Sequence, residues 1–289
     1  MLSQSLPDFD ALWDYSHPEQ TEAKFRAILL GFPEQEPAFL ELLTQIGRAQ
    51  GLQGKFEQAH RTLDQVERRV GEVPSRPKVR CLLERGRAFN SSGDPERARP
   101  CFEEALQLAK QLGEDFYAVD ALHMLAVVAR PEQGLELNRQ VIAFAESSLQ
   151  ERARNWLGSL YNNLGWTYHD LGDYASALEI FEKAEAWCRA KGQARETRIA
   201  AWCVARTLRS LGRVEEALKR QMTLKDELDS AGEKDGYVFE EIGECLFALN
   251  RPKQARPYFR KAYEHLLQDT WLAEHEPERL RRLKELGGK

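Results

Sequence analysis

Apolar and polar residues alternate with helical spacing in the stretch YNNLGWTYHDLGDYASALEIFEKAEAW, residues 161–187. Small residues stand where two helices must touch, and large residues stand where the helices interdigitate. The positions that carry this pattern are Leu164, Gly165, Tyr168, Gly172, Tyr174, Ala177, Phe181 and Ala184. The pattern predicts a first helix, a tight turn at the glycine and a second, antiparallel helix.

The same series of residues returns at fixed offsets in four other places. The first two copies are Ile46, Gly47, Gly54, Phe56, Ala59 and Leu63, then Gly86, Phe89, Gly93, Ala98, Phe102 and Ala105. The last two copies are Val204, Ala205, Leu208, Gly212, Ala217 and Leu224, then Ile242, Gly243, Leu246, Ala255, Phe259 and Ala262. Five copies with matching internal offsets indicate a repeat protein.

A sixth copy, third along the chain, is irregular. Its first helix keeps the pattern at Leu122, Leu125, Ala126 and Ala129. Arg130 and Pro131 are expected to shorten its turn, and Gly134 and Val141 take the small positions of its second helix about four residues early. Repeats then start near residues 40, 79, 119, 158, 198 and 236, with a period of 38 to 40 residues. The predicted organisation is an N-terminal helical cap over 1–39, six repeats over 40–269 and a C-terminal capping helix over 270–289.

This series resembles the tetratricopeptide repeat (TPR), in which a large residue is followed by Leu-Gly, Tyr, Ala, Phe and Ala within about 34 residues. The longer period is similar to that of kinesin light chains and related scaffolds. Three positions depart from the pattern: Arg85 stands where Leu is usual, and Asn138 and Gln221 stand where Phe or Tyr is usual. The resemblance implies an all-α, right-handed superhelical α-solenoid of about six helix pairs with capping helices, in which the first helices line a concave groove.

The composition is typical of a soluble globular protein. Hydrophobic residues make up 42% of the 289 residues, charged residues 30%, and the net charge is -5, which argues against nucleic acid as a partner. No apolar run approaches the roughly 18 residues of a membrane span, and the first residues lack the basic and apolar segments of a signal peptide. Five cysteines without a Cys-x-x-Cys pair favour reduced, buried thiols. We therefore expect a cytoplasmic location and no membrane partner.

The sequence lacks the motifs that carry catalysis or cofactor binding. The segment AEHEPERL, residues 273–280, has no second histidine to complete an HExxH zinc helix. GxSxG, GxGxxG and GxxxxGK[ST] do not occur, so a nucleophile elbow, a dinucleotide turn and a phosphate loop are not predicted. We therefore expect a protein that is not an enzyme and that needs no metal or cofactor.

Basic, aromatic and amide side chains recur at the positions predicted to line the groove. The predicted partner-binding residues are Arg48, Arg80, Arg87, His123, Arg130, Asn162, Asn163, Trp166, His169, Trp202, Arg206, Arg209, Tyr237 and Phe247. Arginine forks onto carboxylates and stacks on aromatic rings, so these residues favour an extended segment with acidic and apolar or aromatic residues. In the long-repeat relatives an asparagine just before Leu-Gly contacts the bound peptide main chain, and Asn163 matches that position. The sixth repeat reverses the charge with Glu233, Glu240 and Glu244.

Two alternatives for these residues stay open at the level of sequence. Trp166, Trp202 and Phe247 are also explained as core residues that pack on the next repeat, and the arginines are also explained as partners of glutamates on adjacent helices. The function favoured here is a scaffold or adaptor that binds an unidentified protein or peptide. Self-assembly into a homodimer through the solenoid surfaces, or a peptide-sensing regulatory module, are the other two functions that fit.

Overall fold

The chain is a succession of antiparallel helices. The computed structural model describes residues 9–288, and no residue in that range belongs to a β-strand. The first eight residues of the predicted N-terminal cap lie outside the described range. The predicted all-α fold built from consecutive helix pairs is confirmed.

The chain divides after Trp156 into two compact units. Unit 1 contains a 3-10 turn, Phe9–Leu12, followed by α1 Pro18–Leu29, α2 Pro37–Leu52, α3 Phe56–Val70, α4 Arg76–Ser91, α5 Pro95–Leu112, α6 Asp115–Val127, α7 Pro131–Ser147 and α8 Glu151–Arg154. Each helix from α2 to α6 packs on the next one along the chain, and α2 also packs on α4. The first three helix pairs are therefore α2/α3, α4/α5 and α6/α7.

Unit 2 begins with the helix pair from which the pattern was read. It contains α9 Leu157–Asp170, α10 Tyr174–Ala190, α11 Ala194–Ser210, α12 Val214–Ser230, α13 Gly236–Ala248, α14 Pro252–Leu266, α15 Thr270–His275 and α16 Pro277–Gly287. The fourth, fifth and sixth pairs are α9/α10, α11/α12 and α13/α14, and α16 packs on α14. We call the first member of each pair its A helix and the second member its B helix.

A glycine on the A helix and a large residue sixteen positions later on the B helix hold each regular pair together. A Cβ atom added to Gly165 would lie 2.5 Å from Cε1 of Phe181, and one added to Gly86 would lie 2.5 Å from the same atom of Phe102. Both phenylalanines are fully buried. The same contact recurs in the sixth pair between Gly243 and Phe259. The missing side chain therefore lets the two backbones approach closely enough to enclose the ring.

We expect Gly165→Ala to lower the free energy of unfolding by about 1–3 kcal/mol, because the new methyl group overpacks the ring of Phe181. Gly51→Ala is the matched control, since Gly51 also lies in an A helix but a Cβ atom added to it would meet nothing within 4 Å. There the better helix propensity of alanine is expected to add about 0.5–1 kcal/mol. Urea unfolding of both variants measures the difference. If both substitutions changed the free energy of unfolding in the same direction, the close approach of the helices at Gly165 would be contradicted.

The fifth pair replaces this contact with a different combination. Ala205 stands at the glycine position and Gln221 at the position of the large residue. Gln221 is fully buried, and neither its Oε1 nor its Nε2 has a hydrogen-bond partner. A second departure from the pattern, Arg85, pairs across to α3, with Nη2 2.8 Å from Asp64. The third, Asn138, is partly buried on α7. All three departures therefore lie within regular helices.

The turn of the third pair differs from the prediction. Arg130 and Pro131 do not shorten it, because three residues separate Val127 from Pro131, as three separate Asp170 from Tyr174. The regular turns contain a residue with positive φ, such as Gly172 at 77°, whereas residues 128–130 contain none. The prediction of a shorter turn is wrong, and what the third pair lacks is the left-handed residue.

Candidate functional site

Arg80, predicted to face a partner, is engaged inside unit 1. Its side chain is nearly buried, and its Nη2 lies 2.6 Å from Oδ1 of Asp10. Its Nη1 donates to the hydroxyl of Tyr117 at 2.9 Å and lies 3.7 Å from Oε2 of Glu41. Burial alone would lower the pKa of Arg80, but the charges of these neighbours raise it. Arg80 therefore stays protonated as part of a buried ionic cluster.

Arg48 and Arg87 also have partners within unit 1. Arg87 donates to Oε1 of Glu84 at 2.7 Å and to the carboxylate of Asp120. Arg48 lies 3.4 Å from the same Glu84 oxygen. In this unit the structure therefore shows the alternative in which the arginines pair with acids of neighbouring A helices.

At the third pair, His123 lies near Asp120 and Arg87, whose charges act on its pKa in opposite directions. The ring of His123 lies 5.6 Å from that of Trp156, and burial lowers the pKa of this histidine. Arg130 is exposed and immediately precedes α7. The two predicted residues therefore lie in different environments and form no common site with Arg80.

Three half-buried aromatic rings form a row across the A helices of unit 2. The ring centroid of Trp202 lies 6.1 Å from that of Trp166 and 6.4 Å from that of Tyr237. Trp202 donates from Nε1 to the carbonyl oxygen of Tyr237 at 3.2 Å. The hydroxyl of Tyr237 donates to Asp269 at 2.9 Å, and burial together with this carboxylate raises the pKa of Tyr237 to about 12. We call Trp166, Trp202 and Tyr237 the aromatic row.

A cleft of about 490 Å³ opens beside the aromatic row. Its apolar lining residues are Ile199, Trp202, Leu224, Leu228, Tyr237 and Val238, and its charged lining residues are Arg195, Arg198, Glu233, Lys234 and Asp235. Ile199 is 46% exposed, so the cleft leaves apolar surface open to solvent. We call this space the aromatic cleft.

Sequence reasoning missed Leu224 and Leu228 of this cleft because they belong to a B helix. Their spacing of four residues near the end of α12 places both on one helix face, directed at the following A helix. The spacing of these leucines is visible in the sequence. It indicates a binding cleft only when α11, α12 and α13 are known to enclose a space together.

Two arginines share one carboxylate next to the aromatic row. Arg209 donates to Glu241 from Nη2 at 2.6 Å and from Nε at 2.8 Å, and Nε of Arg206 lies 3.0 Å from the same carboxylate. Arg206 also donates to the hydroxyl of Ser210, which lies 3.1 Å from Nε2 of His169. Burial and the charge of Arg206 lower the pKa of His169. Within this cluster, one positive charge is therefore in excess.

The two asparagines and Phe247 lie apart from the aromatic cleft. Oδ1 of Asn162 accepts from the thiol of Cys203 at 3.7 Å, and Asn163 is exposed on α9. Phe247 is 46% exposed and lines a different space, with Pro252 and Phe259 among its neighbours. It lies ten residues after Tyr237 on one helix, a distance of roughly 15 Å. Phe247 is therefore not part of the aromatic row.

Two acidic residues of the sixth pair, Glu240 and Glu244, are neutralised by the last helix. Arg279 of α16 donates to both oxygens of Glu240, at 2.8 and 2.7 Å, and Arg282 pairs with Glu244. The guanidinium carbon of Arg279 also lies 5.4 Å from the ring centre of Tyr237. The reversed charge seen in the sequence is therefore balanced inside unit 2.

Metal-binding clusters and membrane-spanning helices are both absent from the described part of the chain. Among its residues, no three side chains of His, Cys, Asp or Glu come together in a way that could hold a metal ion. No helix between residues 9 and 288 is long and apolar enough to cross a membrane.

Comparison with known proteins gives a consistent picture of the fold. Two models of the tetratricopeptide repeat match the chain, over residues 44–113 and 158–191. No curated protein sequence matches it. The apo form of RapI aligns with a TM-score of 0.74 at 12% identity, covering 95% of this chain and 76% of that chain.

Two other solved structures share the arrangement. A signal transduction ATPase with a tetratricopeptide repeat sensor from Pyrococcus horikoshii aligns with a TM-score of 0.71 at 15% identity, over 92% of this chain and 41% of that chain. The Pseudomonas aeruginosa protein pilF aligns with a TM-score of 0.56 at 17% identity, over 85% of this chain and 97% of that chain. At these identities the likeness concerns the fold alone.

Proposed function

We propose that this chain, which is a tetratricopeptide repeat protein, is an interaction scaffold that holds a segment of another protein on the aromatic row and in the aromatic cleft of unit 2. Proteins of this kind generally mediate protein–protein interactions, and their fold is typically a non-catalytic scaffold. The observation that carries the proposal is the apolar cleft, about 490 Å³ in volume, beside half-buried tryptophan and tyrosine rings. Concave, mostly apolar spaces of this size with a few polar groups are the usual form of a binding site.

The cleft favours a large apolar or aromatic side chain. Ile199 and Trp202 offer apolar surface from α11, and Leu228 offers it from α12. A partner side chain that enters covers the exposed part of Ile199 and contacts the edge of the Trp202 ring. Aromatic residues are over-represented among those that contribute most to interface stability, which supports Trp202 as a main contact.

The cluster beside the row favours an acidic residue in the same segment. Arg206 and Arg209 share the single carboxylate of Glu241, so their combined charge is not balanced within the cluster. A carboxylate of the partner could form a charge-assisted hydrogen bond with Arg206, which is the more exposed of the two arginines. The proposed ligand is therefore an extended segment with an acidic residue near an apolar or aromatic one.

Selection of peptides from a random display library on the immobilised full chain tests this proposal. For the selected peptides we expect Ile199→Glu to weaken binding by about tenfold or more, because the new charge enters the apolar cleft. Leu171→Glu is the control, since Leu171 is 65% exposed in the turn between α9 and α10, away from the cleft lining. Fluorescence anisotropy gives the dissociation constants.

Arg206→Gln tests the acidic preference separately. Because Arg209 still occupies Glu241, we expect the melting temperature to change by only a few degrees, while affinity for acidic peptides falls and depends less on salt. Equal affinity of the Ile199→Glu variant and the unchanged chain for every selected peptide would contradict the cleft as the binding site. A large fall in melting temperature for Arg206→Gln with unchanged affinity would assign this arginine to stability alone.

A further inference from the structure

Residues 9–15 lie against the A helices of unit 1 and contact them through their side chains. Phe9 is 1% exposed and belongs to the core formed by α1, α2 and their neighbours. Trp13 donates from Nε1 to Oε1 of Gln45 on α2 at 2.9 Å. The regular part of the segment is one 3-10 turn of four residues, and such a turn is not stable by itself. The contacts with the helices therefore hold the segment in place.

The helices beneath Asp10 present more positive than negative charge. The charged side chains in contact there are Arg76, Arg80 and Arg152 against Glu41 and Glu114. Asp10 supplies the third carboxylate, with Oδ1 2.6 Å from Arg80 and Oδ2 accepting from Arg152. We call the surface formed by these five residues together with Gln45 and Arg48 the unit-1 wall. Arg80 is only 4% exposed, so water hardly solvates its guanidinium group. A carboxylate at the position of Asp10 therefore compensates this buried positive charge.

Aromatic contacts hold the second half of the segment. The rings of Trp13 and Tyr15 are stacked, with centroids 4.9 Å apart. The guanidinium carbon of Arg48 lies 5.5 Å from the ring centre of Trp13 and 5.4 Å from that of Tyr15. Both distances are within the range of a cation–π interaction. The unit-1 wall thus contacts the carboxylate of Asp10 and the rings of Trp13 and Tyr15, while Phe9 is held in the adjoining apolar core.

We propose that residues 9–15 are an intramolecular ligand, and that the unit-1 wall is a second binding surface for partner segments of the same chemistry. Such a segment has an aromatic residue followed directly by a carboxylate, and another aromatic residue three positions after the carboxylate, as in Phe9, Asp10 and Trp13. It competes with residues 9–15 for the same contacts. This surface belongs to unit 1 and does not depend on the aromatic cleft.

A peptide copied from the chain itself is the probe. Fluorescein-labelled FDALWDYS, residues 9–16, is titrated into the full chain and into Asp10→Lys, which places a cation opposite Arg80 and Arg152. We expect the variant to bind the peptide about tenfold more tightly than the unchanged chain, because its own segment competes less well. A peptide with lysine at the aspartate next to phenylalanine is expected to bind about tenfold more weakly than the probe.

Two further variants locate the contact. Arg152→Gln, combined with Asp10→Lys, is expected to weaken binding of the probe, since Arg152 contacts the carboxylate of Asp10 and, at 43% exposed, is expected to be replaceable without unfolding unit 1. Ile199→Glu in the aromatic cleft is expected to leave binding of the probe unchanged, which separates this surface from the function proposed for unit 2. The double variant Phe9→Ala with Trp13→Ala releases the segment by removing its aromatic contacts and is expected to bind the probe as Asp10→Lys does.

Three results would overturn the proposal. The first is the absence of probe binding by an Asp10→Lys variant that melts like the unchanged chain. The second is loss of cooperative melting in both Asp10→Lys and the double variant, because the segment is then an inseparable part of the core. The third is equal affinity for the aspartate and lysine peptides, because binding then does not use the carboxylate.

Discussion

Replacing Ala177 with arginine is expected to lower the free energy of unfolding by about 3–5 kcal/mol. Ala177 is fully buried on α10, which packs on α9. An arginine there either forces the two helices apart or leaves a guanidinium group inside the protein without a partner. Because helix pairs in a repeat array are stabilised mainly by their neighbours, the first pair of unit 2 is expected to open before the rest. Thermal unfolding followed by circular dichroism measures the loss.

Ala175→Arg is the matched control for this experiment. Ala175 lies two residues earlier on the same helix and is exposed, so the same substitution is expected to change the stability by no more than about 0.5 kcal/mol. If Ala177→Arg melts at the temperature of the control, Ala177 does not occupy the contact between α9 and α10. The register of the fourth pair would then have to be revised.

Arg80→Met is also expected to lower the free energy of unfolding by about 3–5 kcal/mol, because it removes one member of a buried ionic cluster and leaves the acids behind. Glu41 is 1% exposed, and its Oε1 already lacks a hydrogen-bond partner. Burial raises the pKa of Glu41, and the loss of Arg80 is expected to raise it further. Urea unfolding of the variant and the unchanged chain gives the difference in stability.

The loss of stability caused by Arg80→Met is expected to become smaller as the pH falls. A carboxyl group with a raised pKa in the folded state destabilises the fold above its ordinary pKa, 4.5 for Glu41, and this penalty disappears below it. The pKa of Asp10 is held below 3.8, although burial opposes this, by Arg80 and Arg152, so its stabilising effect is present above 3.8 and is lost below. The Glu41 effect makes the variant more similar to the unchanged chain below pH 4.5, and the Asp10 effect adds to this only below pH 3.8, so the difference in stability is expected to be smaller near pH 3 than at pH 7.

Arg213→Met is the control for the buried cluster. Arg213 lies 2.6 Å from Glu216, but the two side chains are 47% and 58% exposed. Exposed pairs contribute little, so the free energy of unfolding is expected to change much less than in Arg80→Met. Similar small losses for Arg80→Met and Arg213→Met would mean that the cluster around Arg80 does not contribute to stability as described.

The helix pairs were predictable because their spacing follows from steric contact. Gly165 and Phe181 are complementary in size, and only a close antiparallel approach of two helices brings positions sixteen apart together. The irregular third turn was not predictable to the same degree. A proline after Arg130 signals the start of a helix as readily as a shortened turn, and the structure shows the former.

The pairing of the arginines with acids could have been predicted from their separation in the sequence. The position of an arginine on its helix face does not give this information. Arg48 meets Glu84, Arg87 meets Asp120, and Arg209 meets Glu241, at separations of 36, 33 and 32 residues. These separations are two to eight residues shorter than the period of 38 to 40, so each acid lies nearer the start of its A helix than the residue equivalent to the arginine. Comparing charges 32 to 36 residues apart would have identified these pairs.

The contacts of Asp10 could not be read from the sequence in this way. They join residues 70 and 142 positions apart, outside the periodicity of the repeats. The aromatic cleft is intermediate, since Trp202 and Tyr237 of its A helices were predicted as binding residues and Leu224 and Leu228 of its B helix were not. Periodic contacts are thus predictable from one sequence, whereas contacts made by segments outside the repeat require the structure.

Ala205 and Gln221 differ from the glycine–phenylalanine contact at both positions, and a change at either position alone would disturb the packing. A glycine that mutates to alanine while phenylalanine is still opposite meets the ring, as the 2.5 Å distance at Gly165 shows. A phenylalanine that mutates first leaves a cavity beside the glycine. The fifth pair carries both changes, and its buried glutamine retains an amide without partners. Each position therefore limits which side chains the other can hold without a loss of stability.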